Sequence, residues 1–177
     1  EWVETSGECL RLKVFLDKVK DRVYSDLNLT RRLINNQYLY ESSTTPEVQL
    51  ENNYAGWVLE SKGSDYVSIR VNEISIQKSG TTPINLYVVN QGTIIETISI
   101  TPNNGHLNFK PVDLVLKGKG DFKLVIDSTS VYRGVSTVNP FKFDGFLAYT
   151  TNGVGDSPET STYTYNTYGN GIGLNVS

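Results

Sequence analysis

The side chains that could do chemistry are few and dispersed. The chain carries a single imidazole, His106, and a single thiol, Cys9. A Ser or Cys nucleophile needs a base within hydrogen-bond reach. His106 stands in the turn-like Asn104-Gly105-His106, far along the chain from Cys9, and reads as a turn residue. Structural zinc is held by four Cys or His ligands, which one residue of each kind cannot supply. Calcium takes oxygen ligands from loops, and Asn103, Asn104, Asp121, Asp127 and Asp156 could donate them. None of these falls in a recognisable calcium loop, so they read as solvated turn residues. Glycoside hydrolysis needs two carboxyl groups at a fixed separation across a cleft. Glu73, Glu96, Asp113, Asp121, Asp127 and Asp144 share no spacing and fall in turns or on outward strand positions. With no nucleotide-binding motif either, the expectation is a protein that is not an enzyme, with no metal and no cofactor.

Carbohydrate binding is the one small-ligand chemistry that the residue types favour. Sugars stack on aromatic rings and bond through hydroxyls to Asn, Asp and Gln, and the chain is rich in Tyr and Asn. Trp57, Tyr163, Tyr165 and Tyr168 are the candidate platform, with Trp57 and Tyr165 foremost. A host surface glycan would be the partner. The competing reading places Trp57, within Tyr54-Ala55-Gly56-Trp57-Val58-Leu59, in the core. It gives Tyr163, Tyr165 and Tyr168 to contacts between subunits, where Tyr is enriched.

A chain of 177 residues suits one domain with an accessory segment. The formal net charge of −3 argues against direct contact with nucleic acid, because phosphate binding wants a basic surface. The local pair Arg31–Arg32 reads as a solvated helix end. A lone cysteine excludes an internal disulfide, so burial must hold the fold; Cys9 itself reads as a small buried hydrophobe. No apolar run approaches the length that spans a bilayer, and no signal-peptide pattern is present. The chain begins at Glu1 and contains no Met, which reads as a fragment or a processed product.

Residues 1–42 read as a helical segment. Leu12, Phe15, Leu16, Val19, Val23 and Leu27 recur at three- and four-residue steps, with Thr5 or Ser6 as the cap. Such a stripe must pack on something, and Phe15, Val19 and Val23 are the candidate subunit interface. Residues 43–65 read as a linker and lead-in strand. Residues 66–177 read as an antiparallel β-sandwich, jelly-roll-like, because short alternating runs recur between Asn- and Gly-containing turns. Expected strands are 66–77, 84–90, 94–100, 107–116, 122–127 and 143–149. In the first of these the apolar phase slips between Val71 and Ile74, which predicts a bulge near Asn72-Glu73. Residues 150–170 read as a Tyr-, Thr- and Asn-rich loop, and 171–176 as a run that could close a sheet.

Three segments resemble structural proteins of tailed phages that infect Bacteroidetes, including the crAss-like phages. Leu10-Arg11-Leu12-Lys13-Val14-Phe15-Leu16-Asp17-Lys18-Val19-Lys20-Asp21-Arg22-Val23 resembles the helix before that family's β domain. Asp65–Gln77, followed by Ile84–Asn90 and Ile94–Thr97, resembles its paired strands. Gly169–Val176 resembles the run before its Cys-containing C-terminal segment. Family members usually carry further sequence at both ends. The resemblance implies a virion component, a neck or tail ring subunit that assembles with copies of itself and with other virion proteins, made in the host cytoplasm; charge and hydropathy add the expectation of no direct nucleic-acid or membrane contact. It carries no catalytic residues.

Overall fold

The computed structural model describes residues 14–20, 22, 37–39, 47–48, 53–61, 68–118, 120–127, 131–132, 134–135, 141–142, 146–165, 168–169 and 171–177. The chain divides into two compact units, Glu1–Leu33 and Ile34–Ser177.

In the first unit, residues 14–20 form a helix, α1. Its large apolar side chains are open to water: Val14, Phe15, Leu16 and Val19 are all exposed, Phe15 to 63%. Cys9, the Thr5 or Ser6 cap, Val23, Leu27 and Arg31–Arg32 lie outside the described residues.

The second unit is mainly antiparallel β-structure. Its strands are β1 (Gln37–Leu39), β2 (Glu47–Val48), β3 (Tyr54–Ser61), β4 (Ser68–Ile76), β5 (Ile84–Asn90), β6 (Thr93–Ile100), β7 (Lys110–Lys117) and β8 (Gly120–Asp127), followed by β9 (Val131–Tyr132), β10 (Gly134–Val135), β11 (Phe141–Lys142), β12 (Phe146–Val154), β13 (Thr162–Tyr165), β14 (Tyr168–Gly169) and β15 (Ile172–Val176). A four-stranded sheet has the order β1-β15-β4-β7. A seven-stranded sheet has the order β11-β12-β3-β8-β5-β6, with β13 also paired to β12. Two short pairs, β2 with β9 and β10 with β14, complete the described strands.

Alternation along each strand sends one set of side chains into a shared core. Ile69, Val71, Ile74, Ile76, Leu114, Leu116, Ile172, Leu174 and Val176 of the four-stranded sheet meet Trp57, Leu59, Leu86, Val88, Phe122, Leu124, Ile126 and Ala148 of the seven-stranded one in a single apolar cluster. The phase slip in β4 is resolved as a bulge: its pairing with β7 shifts register between Val71 and Glu73. One extra residue there keeps Ile69 and Val71 on the same side as Ile74 and Ile76, and all four are buried. Between β5 and β6 the two-residue turn Gln91-Gly92 has positive φ at both positions, 49° and 74°. That is the turn whose twist matches a hairpin, and it explains the Asn90-Gln91-Gly92 signal.

Three boundaries differ from the sequence expectation. Gln37–Leu39, expected at the end of the helical segment, is strand β1 and pairs with β15. Three residues are too short to show a period. Tyr54–Ser61, within the stretch expected as linker and lead-in strand, is a strand, and a central one between β12 and β8. Its burial on both faces erases the alternation that marks a strand, and Gly56 lies so close to β8 that a Cβ there would run into the carbonyl of Leu124 and sit 2.7 Å from Cα of Val125. Part of the expected loop 150–170 is strand: β12 runs on to Val154, and Thr162–Tyr165 returns along it as β13.

Trp57 joins the two sheets. Its ring is 3% exposed, and its Nε1 donates to the carbonyl of Ile172 at 2.7 Å. Trp57→Phe keeps an aromatic ring but removes the donor and leaves the Ile172 carbonyl without it, a change that costs about 1–3 kcal/mol. Urea unfolding should show a lower midpoint with an unchanged slope; an unmoved midpoint would discount this bond as a contributor to stability.

Candidate functional site

The alternation that buries Trp57 and Leu59 turns Val58 and Glu60 outward, and the same rule applies on the neighbouring strands. Register then assembles an outer face. Tyr149 of β12 lies opposite Val58, and Val58 lies opposite Lys123 of β8. One row on, Leu147 faces Glu60, and Glu60 faces Asp121. In the other direction Thr151 lies opposite Tyr165 of β13. These residues, with Tyr163 and Thr164, line an open groove of about 390 Å³ on the seven-stranded sheet.

Tyr149 and Tyr165 form its aromatic wall, with ring centroids 5.7 Å apart and planes inclined at 53°. Tyr165 is 48% exposed. The Tyr149 phenol is pushed up from its ordinary value, by burial first and then by the carboxylates of Asp121 and Glu60. Those two acids sit directly across from one another on β3 and β8, where like charges repel. Lys123 brings a positive charge to the same face, its Nζ 5.5 Å from the centre of the Tyr163 ring.

Tyr163 is built into its own hairpin. Its hydroxyl donates to the carbonyl of Pro158 at 2.6 Å. Its ring covers Gly153, where a Cβ would come within 2.5 Å of the ring carbon Cε1. Thr151 donates through Oγ1 to the carbonyl of Thr164 at 2.8 Å and ties β13 to β12. The groove wall is therefore held by packing and hydrogen bonds, and is no part of a free loop.

The sequence candidates divide as follows. Trp57 is withdrawn as a sugar platform, because its indole is enclosed between the sheets and its N–H is already bonded. Tyr165 is on the groove. Tyr163 also lines it, half-buried. Tyr168 is on β14, paired with β10. Phe15 and Val19 are exposed on α1, and Val23 lies outside the described residues.

Of the carboxylates considered for acid–base work, Asp121 is on the groove, Asp144 lies outside the described residues, and Glu73 and Asp113 are engaged elsewhere. Glu73 accepts from Asn175 Nδ2 at 2.8 Å and from the Tyr38 hydroxyl at 3.1 Å. Asp113 pairs with Arg70 at 2.7 Å. His106 is in the tight turn closed by its N–H to the carbonyl of Asn103, 2.9 Å. Among the described residues no group of three His, Cys, Asp or Glu is placed to hold a metal ion. No described helix is long and apolar enough to cross a membrane.

Tyr149, Glu60 and Lys123 were not singled out from the sequence. Their signal is faint but present: each occupies the outward phase of a strand whose inward phase is apolar. What brings them together is the strand order β12-β3-β8, which no local pattern reveals. Compared with known protein families, curated proteins and solved structures, the chain matches none.

The buried hairpin tyrosine has a consequence at high pH. Burial, with a smaller contribution from Tyr54, pushes the Tyr163 phenol up to about 12, against the lowering effect of its hydrogen bond with Ser161. An unfolded phenol titrates at about 10, so the unfolded state loses its proton first. The stability that this group contributes is whole below pH 10 and is lost as pH rises through about 12. In an ultraviolet phenolate titration one tyrosine should titrate late, and Tyr163→Phe should remove that late step and lessen the alkaline fall in stability. A variant with an unchanged titration would show that another phenol is responsible.

Proposed function

We propose that this protein is a non-enzymatic virion structural subunit, one of a neck or tail ring at the head–tail junction of a tailed phage, made in the host cytoplasm and assembled with copies of itself and other virion proteins. The resemblance of α1, β4, β5 and β15 to structural proteins of phages infecting Bacteroidetes supports this reading. So does the acidic balance of the chain, which suits contacts with protein rather than with nucleic acid.

The strand orders support a finer account of the fold, an eight-stranded jelly-roll sandwich. Taking β1, β3, β4, β5, β6, β7, β8 and β15 as the eight strands, one sheet is β1-β15-β4-β7 and the other is β3-β8-β5-β6. The chain passes between sheets at each step except the β5–β6 hairpin, in the manner of a jelly roll. The strands from β11 to β13 are then an insertion before the last strand, widening one sheet beyond β3. Jelly rolls recur in viral capsids and in lectins, so the fold fits a virion role without fixing it.

The observation that carries the assembly reading is α1. Val14, Phe15, Leu16 and Val19 stand at 42–63% exposure on one short helix. Burying such a side chain is worth about 1.5–3 kcal/mol, so a neighbouring subunit that covered them would gain substantially. Val19→Asp places a charge in that contact. The β-sheet signal in circular dichroism should be unaltered, while light scattering over a concentration series should report a smaller assembled mass. Equal masses for the parent and variant chains would sink the interface, and a strictly monomeric parent would sink the assembly role.

A further inference from the structure

We infer that the groove between β13, β12, β3 and β8 is a binding site for an uncharged oligosaccharide, with Tyr149 and Tyr165 as the stacking platform and Glu60, Asp121 and Lys123 as the polar groups that fix the hydroxyls. The site lies on the second unit and is independent of the assembly role of α1.

The ligand class follows from the combination of surfaces. The face of an aromatic ring is electron-rich and its edge electron-poor. A pyranose ring presents an apolar face of weakly positive C–H groups to such a surface and turns its hydroxyls sideways. Tyr149 and Tyr165 both line the groove, with rings inclined at 53° and Tyr165 48% exposed. Beyond the rings the polar lining is mixed. The ionised carboxylates of Glu60 and Asp121 only accept hydrogen bonds, the ammonium of Lys123 only donates, and the tyrosine hydroxyls do either. A ligand that suits this lining must donate and accept at several points and still carry apolar faces, which is the description of a sugar.

Charge narrows the class. Glu60 and Asp121 would repel a phosphate or a uronic acid, which disfavours nucleic acid and acidic glycans. A cationic ligand would find the acids but would also meet Lys123 on the same face, and the inclined pair of rings leaves the groove open where a cation cage would enclose. The volume of about 390 Å³ falls in the range of small-ligand sites, and the open form admits a length of chain rather than a single enclosed sugar. The support is rigid: Tyr163 is pinned to Gly153 and Pro158, and Thr151 bonds β13 to β12. A platform fixed in advance loses little freedom on binding.

The test is affinity electrophoresis of the full chain in gels containing dextran, galactomannan or hydroxyethyl cellulose, with alginate as the acidic comparison, alongside an array of neutral bacterial oligosaccharides. Retention by at least one neutral glycan is expected, with none by alginate. Tyr149→Ala and Tyr165→Ala should each weaken retention by about tenfold or more, as loss of a central aromatic contact does. Tyr165→Trp should keep or strengthen it, because the ring face survives; a merely structural tyrosine would not be rescued in this way. Glu60→Gln, which keeps an acceptor, should bind more weakly than the parent yet more strongly than Glu60→Ala. Circular dichroism on each variant excludes misfolding. Absence of retention on every neutral glycan, retention by alginate instead, or parental retention by the Tyr149→Ala/Tyr165→Ala chain would each overturn the site. None of these outcomes bears on the assembled mass, so the ring-subunit reading stands or falls separately.

Discussion

A buried indole must find an acceptor for its N–H, and in this fold the acceptor belongs to the other sheet. Trp57 stands on a central strand of the seven-stranded sheet and bonds to the Ile172 carbonyl at the start of β15. That bond links the two sheets across the core, and the apolar cluster packs the space between them. β15 is buried along its whole length, because it lies inside its sheet with Ile172, Leu174 and Val176 in the core. The strand lies between β1 and β4 and offers one end to the tryptophan.

The outer surfaces inherit their character from this arrangement. With Trp57 and Leu59 facing in, Glu60 faces out, and the neighbouring strands place Tyr149 and Lys123 beside it. On the four-stranded sheet the bulge at Asn72 has a second effect. It brings Glu73 within reach of Asn175 and Tyr38, so that the carboxylate is bonded twice. The same device that keeps the apolar residues in register therefore anchors polar groups on the outside. One sheet face is closed by its own hydrogen bonds, while the other carries a groove.

Edges are managed separately. β6 borders the seven-stranded sheet and is rich in β-branched residues, a composition that invites pairing with another chain. Its register with β5 shifts at Val88/Val89, opposite Ile95, and the Ile94 N–H is taken by the Glu159 carboxylate at 3.1 Å. A bulge and a side-chain cap blunt the edge at the end near the Gln91-Gly92 turn. Ile95 of β6 is exposed, and further exposed apolar side chains stand on α1 in the first unit, whose residues have helical rather than sheet-forming order.

Much of the β-structure was legible in the residues. Period-two runs located β4, β5, β6 and β8 to within a few residues, the slip between Val71 and Ile74 foretold the bulge, and Asn90-Gln91-Gly92 marked the hairpin. These features are local, set by dihedral preferences and alternation over a few residues. Trp57 could be read as core or as platform, since an aromatic residue in an apolar run suits either place; only the partner across the gap decided for the core. The lead-in strand is legible as a strand but its central place is not, because burial on both faces removes alternation, and β1 is illegible because three residues carry no period. The groove was beyond reach for a further reason. Glu60, Asp121, Lys123, Tyr149 and Tyr165 come from four strands whose adjacency depends on strand order, and strand order is fixed by long-range packing. The sequence by itself determined the strands whose alternation is clear, β4, β5, β6 and β8 among them, and which of their side chains face inward. The tertiary structure alone decided which outward side chains become neighbours, because that depends on sheet order and register.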